Sequence, residues 1–215
     1  ERHMTAGVTI VDPESVYIEE GVVIGNDTEI WPGAELKGRT IIGNGCVIGR
    51  DTIIEDSTIG DRTDILKSVI KESEVGADTQ IGPFAYLRPK SRVGNGCKVG
   101  DFVEIKNAVF GDGSKASHLA YVGDADVGRD VNVGCGVVTA NYDGKQKFRT
   151  RIGDRAFIGC NTNLVSPCQG GDGAYTAAGT TITGRIPADA LAIGRVEPAT
   201  KPGWARRHRA KKTDP

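Results

Sequence analysis

The sequence predicts an all-β chain: short parallel strands wound into a triangular prism of roughly ten stacked coils, with one projecting loop and a C-terminal tail. Three observations predict it. Aliphatic residues recur every six positions through most of the chain. Glycine is abundant, 30 of 215 residues against an average near ~7 %, and it often follows the aliphatic directly. Four residues after the aliphatic stands a small or β-branched residue. A six-residue period matches neither a helix of 3.6 residues per turn nor the two-residue alternation of a hairpin sheet.

Taken in order, residues 1–4 (ERHM) read as a cloning remnant and 5–17 as a lead-in segment. The prism is expected over 18–194. It opens with Ile18, Ile24, Ile30, Leu36, Ile42, Ile48 and Ile54. Two five-residue slips follow, at Ile59 and Ile70. The rhythm returns at Val75, Ile81, Leu87, Val93, Val99 and Ile105, and again at Val127, Val133, Ile152, Ile158 and Leu164. The small inward positions include Thr28, Ala34, Thr40, Cys46, Thr52, Ala85, Ser91, Cys97 and Val103. Glycine is expected at corners whose backbone geometry a Cβ would penalise. Gly170 and Thr176 fall where aliphatics belong, a loss of roughly 1–3 kcal/mol each.

Composition narrows the function. The net charge is −1, so the chain as a whole is no polyanion binder. Residues 195–215 nevertheless carry seven Lys/Arg against Glu197 and Asp214, a basic tail suited to a phosphorylated ligand. Apolar runs are too short to cross a membrane, and no signal peptide is visible. Five cysteines without a CxxC pair fit a reducing compartment. Cys46, Cys97 and Cys168 take inward core positions. Cys135 and Cys160, two residues after Val133 and Ile158, leave that register.

The pattern breaks twice, at 106–126 and at 134–151, and insertions in a solenoid project from one face. The breaks hold Lys106, His118, Tyr121, Asn141, Tyr142 and Lys147, with Asn132 between them. His118 is the only histidine between His3 and His208, too few for a multi-histidine zinc site.

The stretches IGPFAYLRP (81–89), VGDFVEIKNAVFGDGSKASHLAYVGDADVG (99–128), VNVGCGVVTANYDGKQKF (131–148) and ALAIGRV (190–196) resemble one family. It is the bacterial bifunctional N-acetylglucosamine-1-phosphate uridyltransferase / glucosamine-1-phosphate acetyltransferase, and the likeness is to its C-terminal acetyltransferase domain. The resemblance implies a left-handed parallel β-helix, an exception to the right-handed crossover rule. It implies a cytoplasmic homotrimer with sites between chains, small-molecule substrates, and no nucleic-acid or membrane partner. The reaction implied moves acetyl from acetyl-CoA, the co-substrate, to the amine of glucosamine 1-phosphate in cell-wall precursor synthesis. No metal is needed for that transfer. The uridyltransferase half, with its glycine-rich loop, is not in the sequence.

By the same resemblance, His118 is the catalytic base and Glu104 the carboxylate that orients it. Arg88, Lys106, Tyr121, Asn132 and Lys147 bind the sugar phosphate. Cys135, Asn141, Tyr142, Cys160, Ala178, Arg195 and Trp204 contact acetyl-CoA, with the N–H near Cys135 facing the thioester oxyanion. The sequence departs from the family at Cys160, commonly serine, at Cys135, commonly alanine, and at Ser117, commonly glycine, where a strained corner is expected. Two alternatives remain open: another hexapeptide acyltransferase, or a noncatalytic β-helix that trimerises a nucleotidyltransferase.

Overall fold

A computed structural model describes residues 1–210, and the chain winds as a left-handed parallel β-helix. Every pairing between its rungs is parallel. Three faces result. Face one stacks eleven rungs from Thr9–Ile10 to Leu191–Ala192. Face two runs from Tyr17–Ile18 through Glu104–Lys106 and Tyr121–Gly123 to Val138–Ala140. Face three runs from Val23–Ile24 through Ala125–Val127 to Thr150–Ile152. The long strands Asn163–Gly170 and Thr181–Ile186 bend to serve both of these faces.

The repeat explains the strand form. In nearly every two-residue rung the first side chain points out and the second in, as in Glu29–Ile30 or Asp64–Ile65. Ile30, Leu36, Ile42, Ile48, Ile54, Ile65 and Leu87 are fully buried and stack into one continuous core. The small inward residue serves the backbone. Thr28 Oγ1 donates to the Gly43 carbonyl (2.8 Å) and accepts the N–H of Cys46 (3.1 Å). Cys46 Sγ in turn points at the Gly60 carbonyl, 3.2 Å away. These contacts satisfy corner groups that burial would otherwise leave unpaired.

Glycine after the aliphatic answers a close approach between coils rather than an unusual φ. A Cβ on Gly94 would sit 2.3 Å from Asp112 Oδ1 and 2.7 Å from its backbone nitrogen. That carboxylate instead accepts the N–H of Asn95 at 2.7 Å, and Asp61 does the same for Asn44. Positive φ falls later in each repeat, at such residues as Asp27, Asp78, Asp130 and Asn161, types that tolerate it.

Several expectations are corrected. The prism starts at Thr9–Ile10, hydrogen-bonded to Glu29–Ile30 over a buried Val8, rather than at Ile18. A third short step joins Ile70 to Val75, turning at Glu72 (φ 42°). Residues 106–126 are no insertion. Phe110, Ala116 and Val122 fill the inward positions, and Lys115–His118 pairs in register with the rungs on both sides. Of the second break, Val138–Ala140 keeps the ladder through buried Thr139, so only about 141–149 leaves it. Ser117 lies inside a strand, and the left-handed corner beside it belongs to Leu119 (φ 42°).

Thr176 is buried, and its hydroxyl is not a lost anchor. It accepts the N–H of Gly159 (2.9 Å) and pairs with the Thr162 hydroxyl (2.9 Å). The tail carries one short helix, Trp204–Ala210; Lys211 and Lys212 lie outside the described residues.

Candidate active site

The edge between faces one and two carries a column of chemistry-bearing residues. Asp101 and His118 are register partners on consecutive rungs. His118 Nδ1 lies 2.8 Å from Asp101 Oδ1, and the imidazole is well exposed. The hydrogen bond to His118 holds the Asp101 carboxyl below the usual carboxylate range. On the coils above, Cys135 and Cys160 stand two residues past the register pair Val133–Ile158, and both are solvent-accessible free thiols. Their backbones are tied, Asn161 N–H to Cys135 O (2.7 Å) and Gly179 N–H to Cys160 O (2.8 Å). Ala178 follows, and Arg195 Nη1 reaches its carbonyl at 2.9 Å.

Glu104 is not the partner of His118. Its Oε1 binds Arg88 Nη1 at 2.7 Å on face two, which raises the pKa of the guanidinium. The cause is register: Glu104 and Tyr121 are rung partners on that face, whereas His118 ends the preceding strand of its coil. Asp101 was missed because its link to His118 spans 17 residues and a coil boundary. The signal that finds it is the shared position after VG and AS in two successive repeats, VGD and ASH.

Face two gathers Arg88, Glu104, Lys106 and Tyr121. At its far edge Lys106 Nζ contacts both oxygens of Asp124, at 3.0 and 3.2 Å. Burial pulls the Lys106 ammonium down, but the bonds to Asp124 outweigh it and the net pKa is raised. The projecting loop starts there. Asn141 Nδ2 donates to Asp124, and Phe148 N–H returns to Asn141 O at 2.8 Å. Arg149 clamps the exit with bonds to Asp126, at 2.8 Å from Nε, and to the Asn107 carbonyl at 2.9 Å. Within the loop Tyr142 and Lys147 form an antiparallel bridge, and both side chains are exposed.

One chain therefore divides the predicted residues. His118, Cys135, Cys160, Ala178 and Arg195 share one edge; Arg88, Glu104, Lys106 and Tyr121 share face two, with Asn141, Tyr142 and Lys147 at its far side. Asn132 stands exposed on face one, over Lys115. Trp204 stacks on His208 within the tail helix, centroids 4.7 Å apart.

Residues 72–107 match the bacterial transferase hexapeptide family of six repeats. The chain is 54 % identical over 211 residues to the bifunctional protein GlmU of Clostridioides difficile, covering 98 % of this chain and 46 % of that protein. It is 56 % identical over 206 residues to the GlmU of Bacillus velezensis, covering 96 % and 45 % respectively. It thus spans about half the length of the curated relatives it matches. Among solved structures, LpxA, a UDP-N-acetylglucosamine acyltransferase from Bacteroides fragilis, superposes with a TM-score of 0.62 at 20 % identity, over 86 % of this chain and 71 % of that one. That likeness concerns the fold alone. Across nearly its whole length the chain is a hexapeptide-repeat β-helix, and what it matches in the bifunctional GlmU proteins is their C-terminal acetyltransferase domain.

Proposed function

We propose that this chain transfers acetyl from acetyl-CoA to the amino group of glucosamine 1-phosphate, as part of UDP-N-acetylglucosamine supply for cell-wall synthesis. The observation that carries the reading is the exposed imidazole of His118. Its Nδ1 is engaged by Asp101, which leaves Nε2 as the nitrogen facing solvent chemistry. A base so held removes the proton that the sugar amine must lose as it becomes an amide, a contribution typically worth about 10²–10⁴ in rate. Asp101 fixes the tautomer and steadies the imidazolium that forms.

Arg88 and Lys106 supply cations for the sugar phosphate, the first as a planar fork and the second as a point charge. The acyl donor lies along the column of Cys135, Cys160 and Ala178, with Arg195 at its phosphate end. Cys160 faces the departing thiolate, where a thiol is a weak hydrogen-bond donor. No residue in this account requires a metal. The five free cysteines suit a reducing cytoplasm.

The split of the site between an edge and face two favours assembly. Phe84 and Phe102 stack at 5.3 Å on that edge, and both are exposed, as is Leu119 beside His118. An apolar ridge of this kind next to the base suits contact with further copies. A homotrimer would bring a neighbour's face and tail to each His118.

The test is thiol release from acetyl-CoA with glucosamine 1-phosphate, glucosamine or serine as acceptor. Release with the phosphorylated sugar alone is expected. Equal release with all three points to another hexapeptide acyltransferase, and none from an assembled protein points to a purely structural β-helix.

A further inference from the structure

We infer that Asp124 is a positioning residue that couples the acceptor subsite at Lys106 to the loop carrying the acyl-donor contacts. The inference rests on the reading of the site given above and assigns a role to a residue outside it. Asp124 occupies the turn between faces two and three, with φ at 48°, and its side chain is 8 % exposed. Its backbone is pinned on both sides, its N–H to Lys106 O (2.9 Å) and its carbonyl to Thr150 N–H (3.0 Å). The carboxylate cannot drift.

Three side chains donate to that one carboxylate. Lys106 spans both oxygens, Asn107 Nδ2 reaches Oδ1 at 2.5 Å, and Asn141 Nδ2 reaches Oδ2. Lys106 belongs to the acceptor side. Asn141 is the foot of the loop that presents the donor contact Tyr142, with Lys147 of the acceptor set on its returning arm, and the loop closes on Asn141 through Phe148. Asp124 thus touches both halves through one carboxylate.

A buried anion with one cation and two amides is stable only while its donors stay in place. When the sugar phosphate draws Lys106 toward itself, the amides of Asn107 and Asn141 must carry more of the Asp124 charge. Their bonds become more strongly charge-assisted. The loop foot tightens as a result, and the acyl donor meets a loop already ordered. Linkage makes the effect reciprocal: the donor strengthens sugar-phosphate binding by the same factor.

The experiment measures the dissociation constant of CoA by calorimetry, with and without saturating glucosamine 1-phosphate. For the unaltered chain the sugar phosphate is expected to tighten CoA by about 5-fold or more. In Asp124→Asn the ratio is expected to fall to about one, because an amide offers one acceptor oxygen and turns an N–H₂ toward Lys106 or Asn141. A ratio of one in the unaltered chain, or an unchanged ratio in Asp124→Asn, overturns the inference. Should Asp124→Asn not fold, Asn141→Ala leaves the Lys106–Asp124 pair and removes the loop arm together with one donor contact, so the readout is the ratio of CoA affinities with and without the sugar phosphate rather than the affinity itself. It too is expected to abolish the ratio, and an intact ratio there overturns the coupling. A uniform loss of both affinities at constant ratio would mean a structural role alone. Glucosamine 1-phosphate that is neither bound nor acetylated by the unaltered chain sinks the substrate reading instead, so the two failures are distinct.

Discussion

His118 Nδ1 lies 2.8 Å from Asp101 Oδ1, one rung beneath it on the same edge of the prism. Glu104, the carboxylate the sequence points to, is engaged with Arg88. The two acids therefore have separable effects. Asp101→Asn is expected to lower kcat by about 10-fold or more with little change in either KM, a part of the 10²–10⁴ that general-base catalysis supplies. Glu104→Gln releases Arg88 and is expected to act mainly on KM for the sugar phosphate. Steady-state kinetics of both variants decides the assignment; a kcat collapse in Glu104→Gln with Asp101→Asn unaffected reverses it.

The exposed ridge of Phe84, Phe102 and Leu119 supplies a second prediction. Phe102→Glu removes an apolar contact without touching the buried core, so the β-sheet circular dichroism should be retained. Light scattering is expected to show a shift from trimer to smaller species, with loss of acetyl transfer. A trimeric, active Phe102→Glu protein places the interface elsewhere.

Near the C-terminal end, two departures from the repeat have opposite expected effects. Thr176→Val restores the expected aliphatic but removes one of two acceptors of the Gly159 N–H and one of two partners of the Thr162 hydroxyl, an expected loss of about 0.5–1.5 kcal/mol. Gly170→Ala adds a Cβ that meets only Ala174 Cβ, at 3.9 Å, with no positive φ to strain. It is expected to gain about 0.5–1 kcal/mol. Thermal unfolding of the two variants checks both signs.

Buried Asp124 and partly exposed Asp126 both contribute to the acid limit of stability. For Asp124, burial works to raise the carboxyl, but bonds from Asn107, Lys106 and Asn141 leave it below its ordinary value. The bond from Arg149 depresses Asp126 in the same direction. Depressed carboxyls contribute their stability in full above the unfolded value, near ~3.9, and lose it as pH falls through the folded one. Melting temperature should therefore hold from neutral pH to about 4–5 and drop below it. Asp124→Asn, less stable at neutral pH, should show a shallower drop over that acid range.

Much of the fold was legible because one inward residue in six repeats a single steric demand, and Ile42, Ile48, Ile54 and Ile81 meet it with aliphatics. The pattern failed at 106–126 because Phe110 and Ala116 meet the same demand with residues outside the aliphatic set, on a five-residue step. The start at Thr9 was hidden because its strand partner lies 20 residues on. At the site, residue types and motifs pointed to His118, Arg88 and Lys106. The carboxylate partners of His118 and Lys106 were not legible, because Asp101 and Asp124 meet them only through the stacking of successive coils.

The central claim is that one imidazole takes the proton from the attacking amine. The measurement that bears on it most directly is kcat for acetyl-CoA thiol release by His118→Ala, assembled as the unaltered protein and saturated with both substrates. A fall of about 10²–10⁴ with CoA affinity preserved is the result expected. A turnover equal to that of the unaltered chain would contradict the account.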